Sequence, residues 1–152
     1  MRPNTLKISV VVCCYGGENT IEECLNSLLN QKINRKLFEV IIVDDGSKDN
    51  TSVLAQNFIK TKFEGEENTF KYFRKKNEGL SIARNFGIEK SSSQLIVFID
   101  EDALAYSNYL STIIEYFDEN KKVNCVGGEI DLYNEDNDFA RLIQDSIFSF
   151  SM

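Results

Sequence analysis

The sequence predicts a doubly wound α/β fold, in which a mostly parallel sheet carries helices on both faces. Short, nearly continuous apolar runs rich in Val and Ile alternate with stretches whose apolar residues recur at helical spacing. Continuous apolar runs suit strands that are buried on both faces, and strands that alternate with helices pair in parallel through right-handed crossovers. The length of 152 residues fits one domain or part of one.

The apolar pattern gives the order of the elements along the chain. Helices are expected after Thr20, from Thr51, over residues 80–90 and around residues 110–117, where apolar residues recur every three or four positions. Strands are predicted at residues 8–12, 40–43, 70–73, 95–99 and 123–126.

The charge composition indicates which kinds of molecule the protein can bind. A net charge of −7 with only residues 74–76 locally basic argues against a nucleic-acid partner, because neutralising phosphates needs clustered Lys and Arg. A phosphate-bearing ligand would then require a divalent cation, since carboxylates repel phosphate.

The cysteines and the N-terminus indicate the compartment. Four cysteines show no CxxC spacing, and the first residues contain no long apolar segment, so we expect a reduced, cytoplasmic protein. It could lie at the inner face of the membrane through further sequence or a partner. Cys13 and Cys14 are adjacent in a strand and should point to opposite faces of the sheet.

Polar residues follow each of the first four predicted strands, and ligands of doubly wound sheets bind beyond the carboxyl ends of the strands. Asp100 and Asp102 offer two carboxylates to one Mg²⁺ or Mn²⁺, although such a pair is also an ordinary turn sequence. Asp44 and Asp45 repel each other unless hydrogen-bond donors compensate, and a nucleobase or ribose supplies such donors. Arg84 suits a phosphate and equally suits a structural ion pair.

Four ordered motifs together resemble the donor half of inverting family 2 glycosyltransferases with the Rossmann-like GT-A fold. They are SVVVCCY at residues 9–15, VDDGSKDNT at 43–51, NEGLSIARN at 77–85 and FIDED at 98–102. The resemblance runs from about residue 7 to residue 129. It implies a nucleotide-sugar donor-binding portion over residues 1–129 and, over residues 130–152, the start of an acceptor region or a truncated C-terminal helix.

The resemblance also implies roles for matching positions. Asp45 would hydrogen-bond the base, Tyr15 and Glu18 would line the nucleoside pocket, and Asp100 would lie near the ribose and the metal. Asp102 would ligate a divalent cation, Mn²⁺ or Mg²⁺. The donor would be a UDP- or GDP-sugar, and the acceptor a sugar, a lipid-linked molecule or a protein. Further nucleotide-sugar contacts would come from Cys13, Gly79, Arg84 and Glu101.

The chain departs from the family pattern in two ways. Gly16 stands where the family often has Asn, and the family's catalytic base comes from a later segment. Glu129, Asp131 and Asp136 are too early for that role, so the base stays unassigned. Apolar residues over 139–150 fit an amphipathic helix that would pack on the acceptor region or on a second copy in a homo-oligomer.

Three alternatives stay open. The acidic pair at residues 44–45, with Asp100 as phosphoacceptor, is similar to a response-regulator receiver domain. It fits less well because receivers place the pair after their first strand and also need a later Lys. A dinucleotide-binding dehydrogenase is weaker still, since no GxGxxG follows the first strand. The third is a fragment that binds a nucleotide sugar without transferring it.

Overall fold

The computed structural model describes residues 6–63 and 69–128, and the chain divides into two compact units, Met1–Glu119 and Asn120–Met152. The first unit is a four-stranded parallel sheet of order β3-β2-β1-β4 with four α-helices, which confirms the predicted α/β fold. The strands are β1 (Ile8–Cys14), β2 (Phe38–Asp44), β3 (Phe70–Arg74) and β4 (Ile96–Asp100). The helices are α1 (Ile21–Leu29), α2 (Thr51–Lys62), α3 (Leu80–Lys90) and α4 (Tyr109–Glu119).

The strand order places β1 between β2 and β4 and so creates a switch point. Cys13 is level with Val43 on one side and with Asp100 on the other. The chain runs outward from β1 through β2 to β3, and then crosses back to β4 on the other side of β1. Helix α3, which makes this crossing, begins at the carboxyl edge of the sheet, where the loops that leave β1 and β4 also lie.

Both faces of the sheet are covered, because strand residues point alternately to either side. Helices α1, α2 and α4 pack on the face that contains Val10, Val12 and Cys14. Helix α3 packs on the opposite face, against Val11 and Cys13. The prediction that Cys13 and Cys14 point to opposite faces is confirmed, and both side chains are buried.

Helix α3 approaches β1 unusually closely at Gly87. A Cβ atom added there would lie 2.3 Å from Val11 Cγ1, which is far inside van der Waals contact. Ala83, one turn earlier on the same face of the helix, is fully buried. The small side chains of α3 thus set the height of the helix above the sheet, and with it the position of the residues at the start of the helix.

Gly87→Ala is expected to destabilise the protein by about 1–3 kcal/mol through overpacking against Val11. The direction of the change in the free energy of unfolding tests the close approach, since a Gly to Ala change in an uncrowded helix interior stabilises by about 1 kcal/mol. Urea unfolding measures the difference, with Ser81→Ala on the exposed side of α3 as the control. A stabilised Gly87→Ala variant would contradict the close approach.

A buried carboxylate joins several segments at the edge of the sheet where the strands begin. Glu39, 3% exposed, accepts hydrogen bonds from Ser9 Oγ (2.7 Å), Lys71 Nζ (2.7 Å) and the Ser92 amide (2.6 Å). Burial raises the pKa of Glu39, but the bonds from Lys71, Ser9 and Ser92 outweigh it and hold the pKa below its ordinary value. The bond from Ser92 to Glu39 therefore fixes the connection between α3 and β4.

The fifth predicted strand, residues 123–126, is wrong. Residues 123–128 adopt no regular secondary structure, and Val126 is 39% exposed. The spacing of β-branched residues predicts a preference for extended backbone, but a strand forms only where a neighbouring strand supplies its ladder of hydrogen bonds. The predicted boundary at residue 129 and the helix at 139–150 lie outside the described residues.

Of the helices in the described ranges, none has the length and apolar character that crossing a bilayer requires.

Candidate functional site

A cavity of about 350 Å³ lies at the switch point between β1 and β4. The ends of three strands and the beginning of α3 supply its walls. Seven of the predicted site residues line it, namely Cys13, Tyr15, Asp45, Gly79, Asp100, Glu101 and Asp102. Its size suits a small polar ligand.

Two loops on one side of the cavity are joined by reciprocal hydrogen bonds. The Gly16 amide donates to Ser47 Oγ (3.2 Å) and the Glu18 amide donates to Asp49 Oδ2 (3.2 Å). In return, the Asn50 amide donates to Glu18 Oε2 (3.0 Å). Glu18, predicted to line the nucleoside pocket, is not among the residues that line the cavity, because its carboxylate joins the loops instead.

Asp49 is the centre of this junction and also binds Thr51, the first residue of α2. Its Oδ1 accepts hydrogen bonds from the Thr51 amide (3.1 Å) and from the Thr51 hydroxyl, while its Oδ2 accepts from the Glu18 amide. The bond from the Thr51 hydroxyl is the main cause that lowers the pKa of Asp49, and the amide bonds of Thr51 and Glu18 add to it. An ionised Asp49 therefore stabilises both the helix start and the loop pair.

Asp44 is fully buried, and protein groups satisfy its carboxylate. Oδ1 accepts from the Ser47 amide (2.7 Å), and Oδ2 accepts from the Tyr72 hydroxyl (2.6 Å). Arg74 Nε lies 3.8 Å from the same Oδ2. Burial and the hydrogen bond to Asp44 raise the pKa of Tyr72 well above its ordinary value, so the hydroxyl stays a donor. Asp44 is thus structural.

Asp45 lies at the cavity wall with its carboxylate turned towards the loop between β3 and α3. Oδ1 accepts from Lys75 Nζ (2.7 Å) and the Glu78 amide (3.1 Å), and Oδ2 accepts from the Gly79 amide (2.8 Å). Burial raises its pKa, but these three bonds outweigh that effect and lower the pKa below its ordinary value. The hydrogen-bond donors that offset the repulsion between Asp44 and Asp45 come from the protein, whereas from the sequence we expected a ligand to supply them.

Arg84, on α3, is not among the residues that line the cavity, but it contacts Asp100, which lines it. Its Nη2 lies 2.9 Å from Asp100 Oδ1, and its guanidinium carbon is 5.7 Å from the centre of the Phe98 ring. The pair is open to solvent, with 38% of the Arg84 side chain and 55% of the Asp100 side chain exposed. Such an exposed pair contributes little stability, so both groups can exchange partners at low cost.

Glu101, the middle acid of the FIDED motif, packs inward. A Cβ added to Gly17 would lie 2.7 Å from Glu101 Cγ, so Glu101 is packed against the β1–α1 loop. Burial is the main cause that raises the pKa of Glu101, and the nearby carboxylates of Asp100 and Asp102 raise it further. In residues 6–63 and 69–128 no three metal-binding side chains form a closed cluster.

Sequence reasoning missed several residues of the site. Asn77, Leu80 and Ala83 line the cavity, and Lys75 lies behind it as the counter-ion of Asp45. Asn77 and Ala83 belong to the quoted NEGLSIARN motif, so the loop-to-helix turn was the available signal. No pattern in the sequence separates Lys75 from its two basic neighbours, because its role depends on a contact with a residue 30 positions earlier.

Comparison with known proteins identifies the family. The model of the protein family described as "Glycosyl transferase family 2" matches residues 9–151, which is nearly the whole chain. The chain belongs to glycosyltransferase family 2.

Curated relatives agree with this family 2 assignment. An uncharacterised glycosyltransferase of Rickettsia bellii is 39% identical over 114 residues, which are 75% of this chain and 15% of the relative. The poly(ribitol-phosphate) β-N-acetylglucosaminyltransferase TarP of Staphylococcus aureus is 31% identical over 80% of this chain and 36% of the relative. AglE of Haloferax volcanii, at 28% identity, is matched over 95% of this chain and 46% of its own length. The chain therefore spans less than half of these relatives.

Solved structures share the fold. Residues 1–349 of Staphylococcus aureus TarS in complex with UDP-GlcNAc match with a TM-score of 0.68 and 27% identity, over 86% of this chain and 39% of that chain. The mannosyltransferase PcManGT of Pyrobaculum calidifontis, solved with GDP-Man and Mn²⁺, matches with a TM-score of 0.67 over 73% of this chain and 32% of that chain. At 23% identity the second match shows the fold alone. A GT-A-type α/β fold is thereby confirmed.

Asp49→Asn is expected to destabilise the chain by about 1 kcal/mol, because a neutral amide replaces the ionised acceptor at the start of α2. The folded-state pKa of Asp49 is lowered, so its contribution is present above the pKa of an unfolded Asp, about 3.9, and is lost as pH falls through the folded value. The difference from wild type should therefore shrink on acidification. Urea unfolding at several pH values measures this.

The matched control for Asp49→Asn is Lys48→Gln, which changes an exposed neighbour. A difference between Asp49→Asn and wild type that stays constant down to pH 3 would contradict an electrostatic role for Asp49.

Proposed function

We propose that this chain binds a nucleoside diphosphate sugar and a divalent cation in the 350 Å³ cavity, as the donor half of an inverting glycosyltransferase. The observation that carries the proposal is the convergence of Asp45, Asp100 and Asp102 on one cavity at the switch point of the sheet. Family membership supports the reaction class. TarS, whose structure holds UDP-GlcNAc, supports the class of donor.

The residues fit a divalent cation. Asp100 and Asp102 are exposed oxygen donors at the end of β4, and a Mg²⁺ or Mn²⁺ bound to a diphosphate needs only one or two protein carboxylates. The raised pKa of Glu101 between them reflects burial and then the negative charge of its neighbours, which a cation would relieve. We assign Asp102 as the metal ligand and Asp100 to both the metal and the ribose.

In the reaction, an acceptor hydroxyl attacks the anomeric carbon from the face opposite the nucleotide, so the bond to the diphosphate oxygen breaks and the configuration inverts. The proton of the hydroxyl passes to the catalytic base, which stays unassigned. Bound at Asp102, a cation supplies Lewis-acid stabilisation of the charge that develops on the leaving diphosphate. Asp45 and Tyr15 orient the nucleoside. Arg84 exchanges Asp100 for a phosphate oxygen, which the low cost of breaking an exposed pair allows.

Two further features bear on the proposal. Asp44 is buried and accepts hydrogen bonds from Tyr72 and the Ser47 amide, so it cannot act as the free acidic partner that a receiver domain needs. Membership of the glycosyltransferase family also argues against a receiver domain.

The four cysteines, all described, are free thiols. We therefore also propose a reducing, cytoplasmic location. The acceptor and any oligomer formed through residues 139–150 stay predictions.

Nucleoside diphosphates should stabilise the chain against heat, and more strongly when Mn²⁺ is present. At a ligand concentration 100 times Kd the gain is about 2.7 kcal/mol. Differential scanning fluorimetry across UDP, GDP, ADP and CDP, with Mn²⁺ or EDTA, measures the effect. A folded sample that none of the four nucleotides stabilises would reject the donor site. Transfer from a nucleotide sugar by the chain alone would exclude a fragment that only binds.

Asp102→Asn should remove the metal-dependent part of this stabilisation while leaving the free energy of unfolding without ligand nearly unchanged, since Asp102 is exposed. Isothermal titration of the preferred nucleotide with and without Mn²⁺ separates the two parts. Glu115→Gln, which removes an exposed charge on α4, is the matched control. An equal loss of affinity in EDTA would assign Asp102 to the nucleotide rather than to the metal.

A further inference from the structure

Lys75, directly after β3, has a largely buried side chain and lies behind the cavity wall. Only 11% of its side chain is exposed, which is unusual for Lys. Its three N–H donors have three partners: Asp45 Oδ1 (2.7 Å), the Lys76 carbonyl (2.7 Å) and Glu78 Oε2 (2.8 Å). Because every donor is used within the protein, Lys75 is not built to hold a ligand.

The partners of Lys75 join two loops that form adjacent walls of the cavity. Asp45 begins the loop after β2, whereas Glu78 belongs to the loop that leads into α3. The Glu78 and Gly79 amides also donate to the Asp45 carboxylate. Lys75 is therefore the only charged donor that the described structure gives to Asp45, and the two amides are the neutral ones.

The backbone geometry confirms how closely the two loops meet. Gly46 has φ +80°, and a Cβ added there would lie 2.9 Å from the Asn77 amide nitrogen and 3.2 Å from the Lys75 carbonyl oxygen. The loop that begins at Lys75 thus lies directly on the turn that follows Asp45. Asn77 and Gly79, which line the cavity, depend on this contact for their position.

We propose that Lys75 is a positioning residue of the nucleotide site, which fixes the Asp45 carboxylate and closes the loop of residues 75–79 against it. For its effect on ligand affinity the inference rests on the proposed donor site. Lys75 acts through Asp45 and the loop and does not touch the ligand. Its loss leaves a carboxylate that is 6% exposed with only neutral donors, so Asp45 becomes easier to protonate and the cavity wall loosens.

In the part of the chain that the structure describes, few charged or titratable groups face Asp45. Lys75 faces it from the end of β3, Glu78 from the same loop, and the Cys13 thiol from β1. Burial raises the pKa of Cys13 to about 11, so the thiol stays neutral in the acid range. Removing the positive charge of Lys75 should therefore let Asp45 take up a proton at a higher pH than in wild type.

The test compares Lys75→Met and Lys75→Gln, which remove the charge, with Lys75→Arg, which keeps it. Lys76→Met is the matched control, because Lys76 is an exposed neighbour whose contact with Lys75 is through its backbone carbonyl. NMR follows the Glu78 and Gly79 amide shifts against pH without ligand, since these amides donate to Asp45. Isothermal titration then measures the affinity for the nucleoside diphosphate that stabilises wild type most, with Mn²⁺.

Loss of the charge should move the amide titration of Glu78 and Gly79 to higher pH and weaken nucleotide affinity on the order of tenfold. Lys75→Arg should restore both readouts to within about threefold in affinity. Lys76→Met should change neither. Circular dichroism checks the fold, and Lys75→Gln retains polarity if the Met variant unfolds.

The outcomes separate the two proposals. Unchanged amide titration in both neutral variants would overturn the role of Lys75, whatever the nucleotide affinity. A shifted titration with wild-type affinity would overturn its importance for the ligand. A shifted titration in a chain whose wild type binds no nucleotide would support the contact of Lys75 with Asp45 and reject the donor site.

Discussion

The parallel pairing of β1 between β2 and β4 is the constraint on which the rest of the structure depends. Because all three strands run in the same direction, Cys13, Val43 and Asp100 are level at one edge. Every loop that leaves this edge must then share a small volume. The crossing from β3 back to β4 adds α3, whose start joins the same volume. A cavity is the consequence of the topology, and the loop residues determine its chemistry.

That topology forces acidic residues into positions where charge is costly, and the structure compensates each one differently. Glu39, at the other edge, is held by Ser9, Lys71 and the Ser92 amide. Asp44 is held by Tyr72 and the Ser47 amide. A buried carboxylate without such donors would take up a proton or destabilise the fold. These networks therefore set where the strands and loops lie.

The alternation of apolar runs and helical spacings was enough to predict the four strands of the sheet, the helices and the opposite directions of Cys13 and Cys14. The segment at 123–126 failed because strand formation depends on a partner that local spacing does not report. The strand ends predicted the acids and Tyr15 of the cavity. The contacts of Glu18 and Lys75 could not be predicted, because they are made with Asn50 and Asp45, about 30 residues away.

The acids at the carboxyl edge divide into two groups by what their oxygens already bind. Asp44 and Asp45 are buried and receive donors from the protein, so they shape the site and leave little capacity for a cation. Asp100 and Asp102 are exposed, and within the described residues the Asp100 carboxylate forms a solvent-open pair with Arg84. A cation gains most where carboxylates are unsatisfied and can move. Two motifs with the same residue types thus differ in what their carboxylates already bind, and burial is what separates them.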